Sequence, residues 1–431
     1  MAFDHQKILE EIEEQYLEED GLRPWIVGFS GGKDSTMLLQ LVWYCVKRIP
    51  AELRRRQVYV VCNNTLVENP KILRYTEEVL NKIDKAAFEQ TMPVFVVRTT
   101  PKLEDSFWVN LIGKGYPAPN NAFRWCTERL KISPTTEFIK NKISEVGEAI
   151  ILLGTRSEES VSRAKSMKKH EVEGQRLRKH VLPNAFVYAP IKDVKVTELW
   201  QYLNQVPSPW GANNKNLNAL YRNANSGDCP LVIDDTTPSC GKSRFGCWVC
   251  TVVNKDKSMD GLIQNGEEWM EPLAELREML VEYRNDPTWR QSTRRDGSEG
   301  IGPYEMEKRA YILEELLKAQ KEVNEQEPDL SLINYQELVA IQVTWFRDND
   351  FHHSVADIYN KVYGTNLSNR DFEDHLIFEK EILKESCTEN PEDYQLINEL
   401  LELQKAKTIM VKARGLQNDL ENRLDQFVKN D

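Results

Sequence analysis

The hexapeptide Ser30-Gly31-Gly32-Lys33-Asp34-Ser35 gathers the residue types that bind phosphate. Glycines let a backbone approach phosphate oxygens, and N–H groups at a helix start supply donors and a favourable dipole. Ser30 and Ser35 add hydroxyl donors, and Lys33 adds a point positive charge. The hexapeptide is not a Walker A loop, because Val27 rather than glycine stands six positions before Lys33 and Asp34 follows the lysine directly. An aspartate at that place suits magnesium or pyrophosphate handling better than simple cradling of a triphosphate. The hexapeptide points to a nucleotide site.

A second concentration of chemistry is Cys229-x10-Cys240-x6-Cys247-x2-Cys250, four of the eight cysteines within 22 residues. Four thiolates suit zinc or an iron–sulfur cluster, since soft sulfur ligands serve both. With Cys126 there are five candidates for four positions. Residues 207–260 are rich in Pro, Gly, Asn, Ser and Cys with weak periodicity, which suggests ordering by a metal rather than by a core. Cys45 and Cys62 read as core residues and Cys387 as inert. Arg156 and Arg163 flank Ser157-Glu158-Glu159 in a segment that begins at Gly154, and an always-charged guanidinium suits an anionic substrate. The run from Ser162 to His180 is basic, with Arg163, Lys165, Lys168, Lys169, Arg176, Arg178 and Lys179. It reads either as an exposed loop or as a phosphate-backbone contact beside the site.

Short apolar runs at 24–29, 58–62, 94–97 and 149–153 alternate with amphipathic stretches, among them 70–85 and 134–146. Strands apolar on both faces and separated by helices imply an α/β fold, a doubly wound and mostly parallel sheet covered on both sides. A strand, the glycine turn and a helix open that unit. The expected organisation is an N-terminal helix over 1–20, the α/β domain over 21–206, a cysteine-rich loop segment over 207–265 and a C-terminal helical region over 266–431.

The 431 residues carry 56 basic and 68 acidic side chains, a net charge of −12. A protein of that sign does not coat nucleic acid by bulk attraction, so any nucleic-acid substrate meets a local basic patch or a partner. No apolar run approaches the roughly 18 residues of a membrane helix. The acidic N-terminus lacks the plan of a signal peptide. The expectation is a cytoplasmic protein without membrane contact, whose cysteines do not form a disulfide framework.

SGGKDS after the first strand resembles the signature of the PP-loop ATP pyrophosphatases, which have the adenine nucleotide alpha-hydrolase-like fold. Members cleave ATP between the α and β phosphates, adenylate a substrate oxygen and let a nucleophile displace AMP, with magnesium bridging the phosphates. Gly154-Thr155-Arg156-Ser157-Glu158-Glu159-Ser160-Val161-Ser162-Arg163 resembles an element of the PAPS-reductase branch. The resemblance implies phosphate contacts from Ser30 through Ser35, Gly154, Arg156 and Lys131, with Lys33, Asp34, Arg156 and Arg163 in catalytic roles. It also implies adenosine recognition at Asn63 and Asn64. RWCTERLKISP resembles the helix start of the same branch, with Thr127 where iron–sulfur reductases carry a second cysteine. That match ties Cys126, Cys240, Cys247 and Cys250 to one 4Fe–4S cluster, with Cys229 as alternative ligand or sulfur carrier.

Over most of 15–320 the chain resembles the sulfurtransferases of bacterial DNA phosphorothioation, a restriction-modification system, most specifically in CGKSRFGCWVCTVVNKDKSMDGLIQNGEEW. The resemblance implies replacement of a non-bridging oxygen of the DNA backbone by sulfur. It also implies a cysteine desulfurase as donor and further phosphorothioation subunits as partners. The alternatives are a PAPS or APS reductase, a tRNA thiolase and a nucleotide-gated assembly subunit without catalysis. Reductases of this type carry a late cysteine that attacks sulfate, and no cysteine follows Cys387.

Overall fold

A computed structural model describes residues 3–18, 23–159, 175–224, 246–294, 298–348, 350, 352–367, 382–387 and 393–401. Arg163, Cys229, Cys240 and the basic residues from Arg163 to His170 lie outside that set, as does the chain beyond residue 401. Two compact units divide the chain, Met1–Val355 and Ala356–Asp431.

The first unit is built on a sheet of β1 (Trp25–Gly28), β2 (Val58–Asn63), β3 (Val94–Thr99), β4 (Ala149–Leu152), β5 (Arg178–Lys179) and β6 (Ala185–Tyr188). Their spatial order is β3-β2-β1-β4-β6-β5. All neighbours are parallel except β5, which runs antiparallel to β6 at one edge. Val27 lies opposite Val60 on one side and Leu152 on the other. β4 is buried along its whole length and β1 along all but its last residue, as expected of central strands covered on both faces. This is the mostly parallel, doubly wound architecture that the alternating apolar runs imply.

Helix α1 (Gln6–Leu17) buries Leu9, Ile12 and Tyr16 against the sheet layer. Arg56 fixes it there: the guanidinium is 1% exposed, donates to Tyr16 O at 3.1 Å and Arg23 O at 2.7 Å, and lies over the Tyr16 and Trp25 rings. Helix α2 (Lys33–Arg48) starts directly after the glycine turn, with Asp34 in its first turn and Lys47 and Arg48 in its last, the signs its dipole favours. Helix α3 (Pro70–Glu89) is capped by Asn69, whose Oδ1 accepts from Lys71 N and Ile72 N, with proline at the first helical position. Helix α4 (Ser133–Val146) ends at Gly147, whose φ of +91° suits only glycine.

Beyond the sheet come α5 (Val196–Gln205), α6 (Asn214–Ala224) and α7 (Lys257–Gln264). The last two occupy the segment read from sequence as poor in regular structure. Leu217, Leu220, Tyr221, Trp248, Val249 and Leu262 are buried there, so apolar packing orders the described part of the segment. The α6 sequence NKNLNALYRNA dilutes its apolar stripe with asparagine, which hides the period. Helices α8 (Glu271–Tyr283), α9 (Met306–Val323) and α10 (Tyr335–Arg347) complete the described helices of the first unit before α11 (Val355–Tyr363). Trp108 Nε1 donates to Leu332 O and Trp345 Nε1 to Ile112 O, tying α10 and the loop before it to residues 108–112. No helix among the described residues is long and apolar enough to cross a membrane.

Cys45 and Cys62 are buried in this core, and burial pushes each thiol up to about 12. Unfolding returns both toward the ordinary value of about 8.5. The native state therefore holds these protons more tightly, and their contribution to stability is full below the ordinary value and lost as pH rises toward 12. Urea midpoints are expected to fall as pH is raised from roughly 8.5 to 11. The fall should be shallower in Cys45→Ala and Cys62→Ala, and an identical slope in both variants would refute the assignment.

Candidate functional site

Strand order reverses between β1 and β4, since β2 and β3 lie on one side of β1 and β4 and β6 on the other. Ligands of open α/β sheets bind at the carboxyl ends of strands at such a switch point. The loop of Ser30–Gly32 leaves β1 there, and Gly154–Glu158 leaves β4 at the same end.

Two glycines make the meeting of these loops possible. Gly31 has φ +70°, and a Cβ on it would stand 2.4 Å from Thr76 Oγ1 on α3. A Cβ on Gly154 would stand 3.0 Å from the backbone carbon and oxygen of Asp34. Ser35 holds the turn from within: its Oγ accepts from Ser30 N at 3.2 Å and donates to Gly32 O at 3.1 Å.

The charged groups engage one another. Lys33 Nζ lies 3.1 Å from Asp34 Oδ2, and Arg156 Nε lies 2.5 Å from Asp34 Oδ1. Arg156, its side chain 4% exposed, also donates to Val194 O at 3.2 Å and Glu158 Oε2 at 3.4 Å. Tyr221 on α6 holds Lys33 twice. Its hydroxyl accepts from Lys33 N at 3.3 Å, and its ring lies 5.1 Å from Lys33 Nζ. Burial raises the Tyr221 pKa above its ordinary range, so the hydroxyl stays protonated. Thr76 Oγ1 and Thr155 Oγ1 are buried beside these loops without a hydrogen-bond partner among the described residues. A helix start, two cations and two orphaned hydroxyls fit a bound polyphosphate. Tyr221 and Thr76 escaped the sequence reading because each sits on an amphipathic helix, where it reads as core.

Asn63 and Asn64 close β2. Asn63 Nδ2 donates to Leu130 O at 2.6 Å and its Oδ1 accepts from Thr99 Oγ1 at 3.0 Å. Asn64 Oδ1 accepts from Leu66 N at 2.8 Å, beside the positive φ of Leu66. Both side chains thus hold the strand exit, and Asn63 also holds the π-helical turn Thr127–Ile132 that follows Cys126.

The thiols gather on the far side of that exit. Trp248 N donates to Val67 O at 3.0 Å and Asn69 N to Gly246 O at 3.2 Å, so residues 246–248 pair with the chain leaving β2. Cys250 N donates to Cys247 O at 3.1 Å, closing a turn. Cys247 Sγ lies 3.4 Å from Thr65 Oγ1 and 3.8 Å from Glu68 Oε1. Desolvation and Glu68 push its thiol up to about 12, while Lys131 pulls it down. Desolvation and then Cys250 push the Cys126 thiol up. Desolvation works against the Lys131 ammonium, yet Cys247, Glu68 and Cys250 hold its pKa above the usual range. Lys131 Nζ thus lies 3.8 Å from Glu68 Oε1 and feels the charges of Cys247 and Cys250, as Cys126 feels that of Cys250. Among the described residues, no three His, Cys, Asp or Glu are arranged to hold a metal ion. The thiol donors suit soft metals, but their described arrangement is no closed metal site.

Residues 24–253 match the family model of the phosphoadenosine phosphosulfate reductase domain. An uncharacterized protein of Methanocaldococcus jannaschii is 25% identical over 228 residues, 53% of this chain and 36% of that protein. The chain thus spans about a third of the length of this curated relative. A PAPS reductase from Candida auris, solved as a phosphate complex, overlaps 51% of this chain and 93% of its own at 10% identity and a TM-score of 0.29. A tRNA thiolase from Methanococcus maripaludis with its 4Fe–4S cluster overlaps 64% and 80% at 14% identity and a TM-score of 0.30. Neither likeness is close enough to place a residue.

Asp34 is the shared partner of Lys33 and the buried Arg156, so its removal leaves a desolvated cation short of a carboxylate. Asp34→Ala is expected to lower the unfolding free energy by about 2 kcal/mol, and Asp34→Asn by less, because the amide oxygen still accepts. Urea denaturation measures both, and a wild-type midpoint for Asp34→Ala would show that the pairing does not hold the loops.

Proposed function

The chain belongs to the phosphoadenosine phosphosulfate reductase domain family, and from that premise we propose that it is an ATP-dependent sulfurtransferase acting on the DNA backbone. The observation that carries the reading is the set of Lys33, Asp34 and Arg156 at the start of α2, one strand away from Cys126, Cys247 and Cys250. SGGKDS, GTRSEESVSR and the cysteine region also resemble DndC of bacterial DNA phosphorothioation.

In this reading the N-terminus of α2 receives the ATP phosphates, with Lys33 and Arg156 supplying positive charge. Asp34 would hold magnesium, which would supply further charge neutralisation to the phosphates when bound. A non-bridging oxygen of a DNA phosphate attacks the α-phosphorus of ATP and expels pyrophosphate, leaving an adenylated backbone phosphate. Bringing two anions together is the hard step, and preorganised cations lower its barrier. Sulfide, released by a cysteine desulfurase, attacks the activated DNA phosphorus. AMP departs with the former oxygen and a phosphorothioate remains. Cys126, Cys247 and Cys250, with Cys240 or Cys229, would hold a 4Fe–4S cluster, which would order the cysteine loop when present. Further phosphorothioation subunits would present the DNA, given the net charge of −12.

Pyrophosphate release from the anaerobically purified chain is expected to require DNA, to continue beyond one turnover only with sulfide present, and to vanish in Lys33→Met with the fold retained. Release with tRNA in place of DNA would assign a thiolase, and sulfite formed from PAPS would assign a reductase. ATP binding without any pyrophosphate would assign an assembly subunit. Iron and acid-labile sulfide are expected at about four each per chain, and zinc without sulfide would remove the cluster from the mechanism.

A further inference from the structure

The loop that carries Cys247 and Cys250 is held from behind by a helix that lies wholly outside the family-matched residues 24–253. Helix α8 buries Leu273, Leu276 and Leu280 and turns Arg277, with Arg284 at its C-cap, toward that loop. Arg277 is 1% exposed. Its Nε donates to Cys250 O at 2.9 Å, its Nη1 to Asn254 O at 3.3 Å, and its Nη2 to Val253 O. Glu278 supplies a carboxylate to the same Nη1. Arg284 Nη1 donates to Thr251 O. Arg277 of the helix and Arg284 at its C-cap thus take the carbonyls of Cys250, Thr251, Val253 and Asn254.

A guanidinium carries five donors in a fixed planar fork. It can gather carbonyls that point inward from an irregular loop, which would otherwise be buried without partners. The same loop is anchored on its other side by Thr251, fully buried, whose Oγ1 donates to Pro119 O at 2.6 Å on the segment leading to Cys126.

We propose that α8 is a clasp for the cysteine loop, with Arg277 the positioning residue for Cys247 and Cys250, so that these thiols are preorganised by hydrogen bonds before any metal or sulfur arrives. The helix is then part of the sulfur chemistry rather than an appendage to it. The inference rests on the reading of these thiols as the functional set. Its test needs no ATP, DNA or sulfur source, so it can fail while the sulfurtransferase reading stands, and the reverse.

The experiment is alkylation of the reduced, chelator-treated full chain with iodoacetamide, with rates resolved cysteine by cysteine by peptide mass spectrometry. Cys45 and Cys62, buried in the sheet core, report on global unfolding. Arg277→Ala is expected to accelerate Cys247 and Cys250 by about tenfold while Cys45 and Cys62 keep wild-type rates. Arg277→Lys, a point charge without the fork, should recover part of the protection. Thr251→Val, milder and close in shape, should accelerate Cys247 and Cys250 less than Arg277→Ala does. Wild-type rates at Cys247 and Cys250 in Arg277→Ala, or equal acceleration at all four cysteines, would overturn the clasp.

Discussion

The carboxylate of Asp34 is the contact on which the nucleotide end of the molecule depends. It stands in the first turn of α2, where negative charge meets the positive end of the helix dipole. One oxygen holds Lys33 and the other holds Arg156, which reaches it from the far side of the strand-order reversal. Because the Arg156 side chain is almost wholly buried, losing that carboxylate would leave a desolvated cation short of a partner. The crevice at the switch point is therefore pulled closed by ion pairing as well as lined by it.

The chain leaving β2 connects this end to the thiols. Asn63 fixes the turn that follows Cys126, and a few residues later Val67 and Asn69 pair with the turn that holds Cys247. The loop cations and the Cys247 turn thus stand beyond the exits of the neighbouring strands β1 and β2, the latter placed by backbone hydrogen bonds. Helix α8 closes the arrangement from outside by gathering the carbonyls of the cysteine loop. A site supported by packed elements keeps its geometry better than one built on a free loop.

Much of this was legible before folding, where the signal was local. The apolar runs at 24–29, 58–62, 94–97 and 149–153 mark four of the five parallel strands, because strands buried on both faces carry continuous β-branched sequence, and β6 was not among them. SGGKDS announces a phosphate turn because strand, glycines and helix start are contiguous. The segment 207–260 was less legible. Its aromatic and leucine anchors are spread among asparagines, so the core that orders its described part has no visible period. Lys131 was read as a phosphate contact from its motif, and the fold sets it beside Cys247 and Glu68.

The amino-acid sequence by itself determined the strand and helix types, the glycines that permit close approach, and the inventory of cations, hydroxyls and thiols. Those follow from local sterics and periodicity, which act over a few residues. Only the tertiary structure decided the partnerships. It joined Asp34 to Arg156, set Tyr221 against Lys33, brought Cys126 to the Cys247–Cys250 turn, and gave Arg277 the carbonyls of that turn. Each of these contacts links residues distant in sequence, and only the shared burial of the whole chain brings such residues into reach.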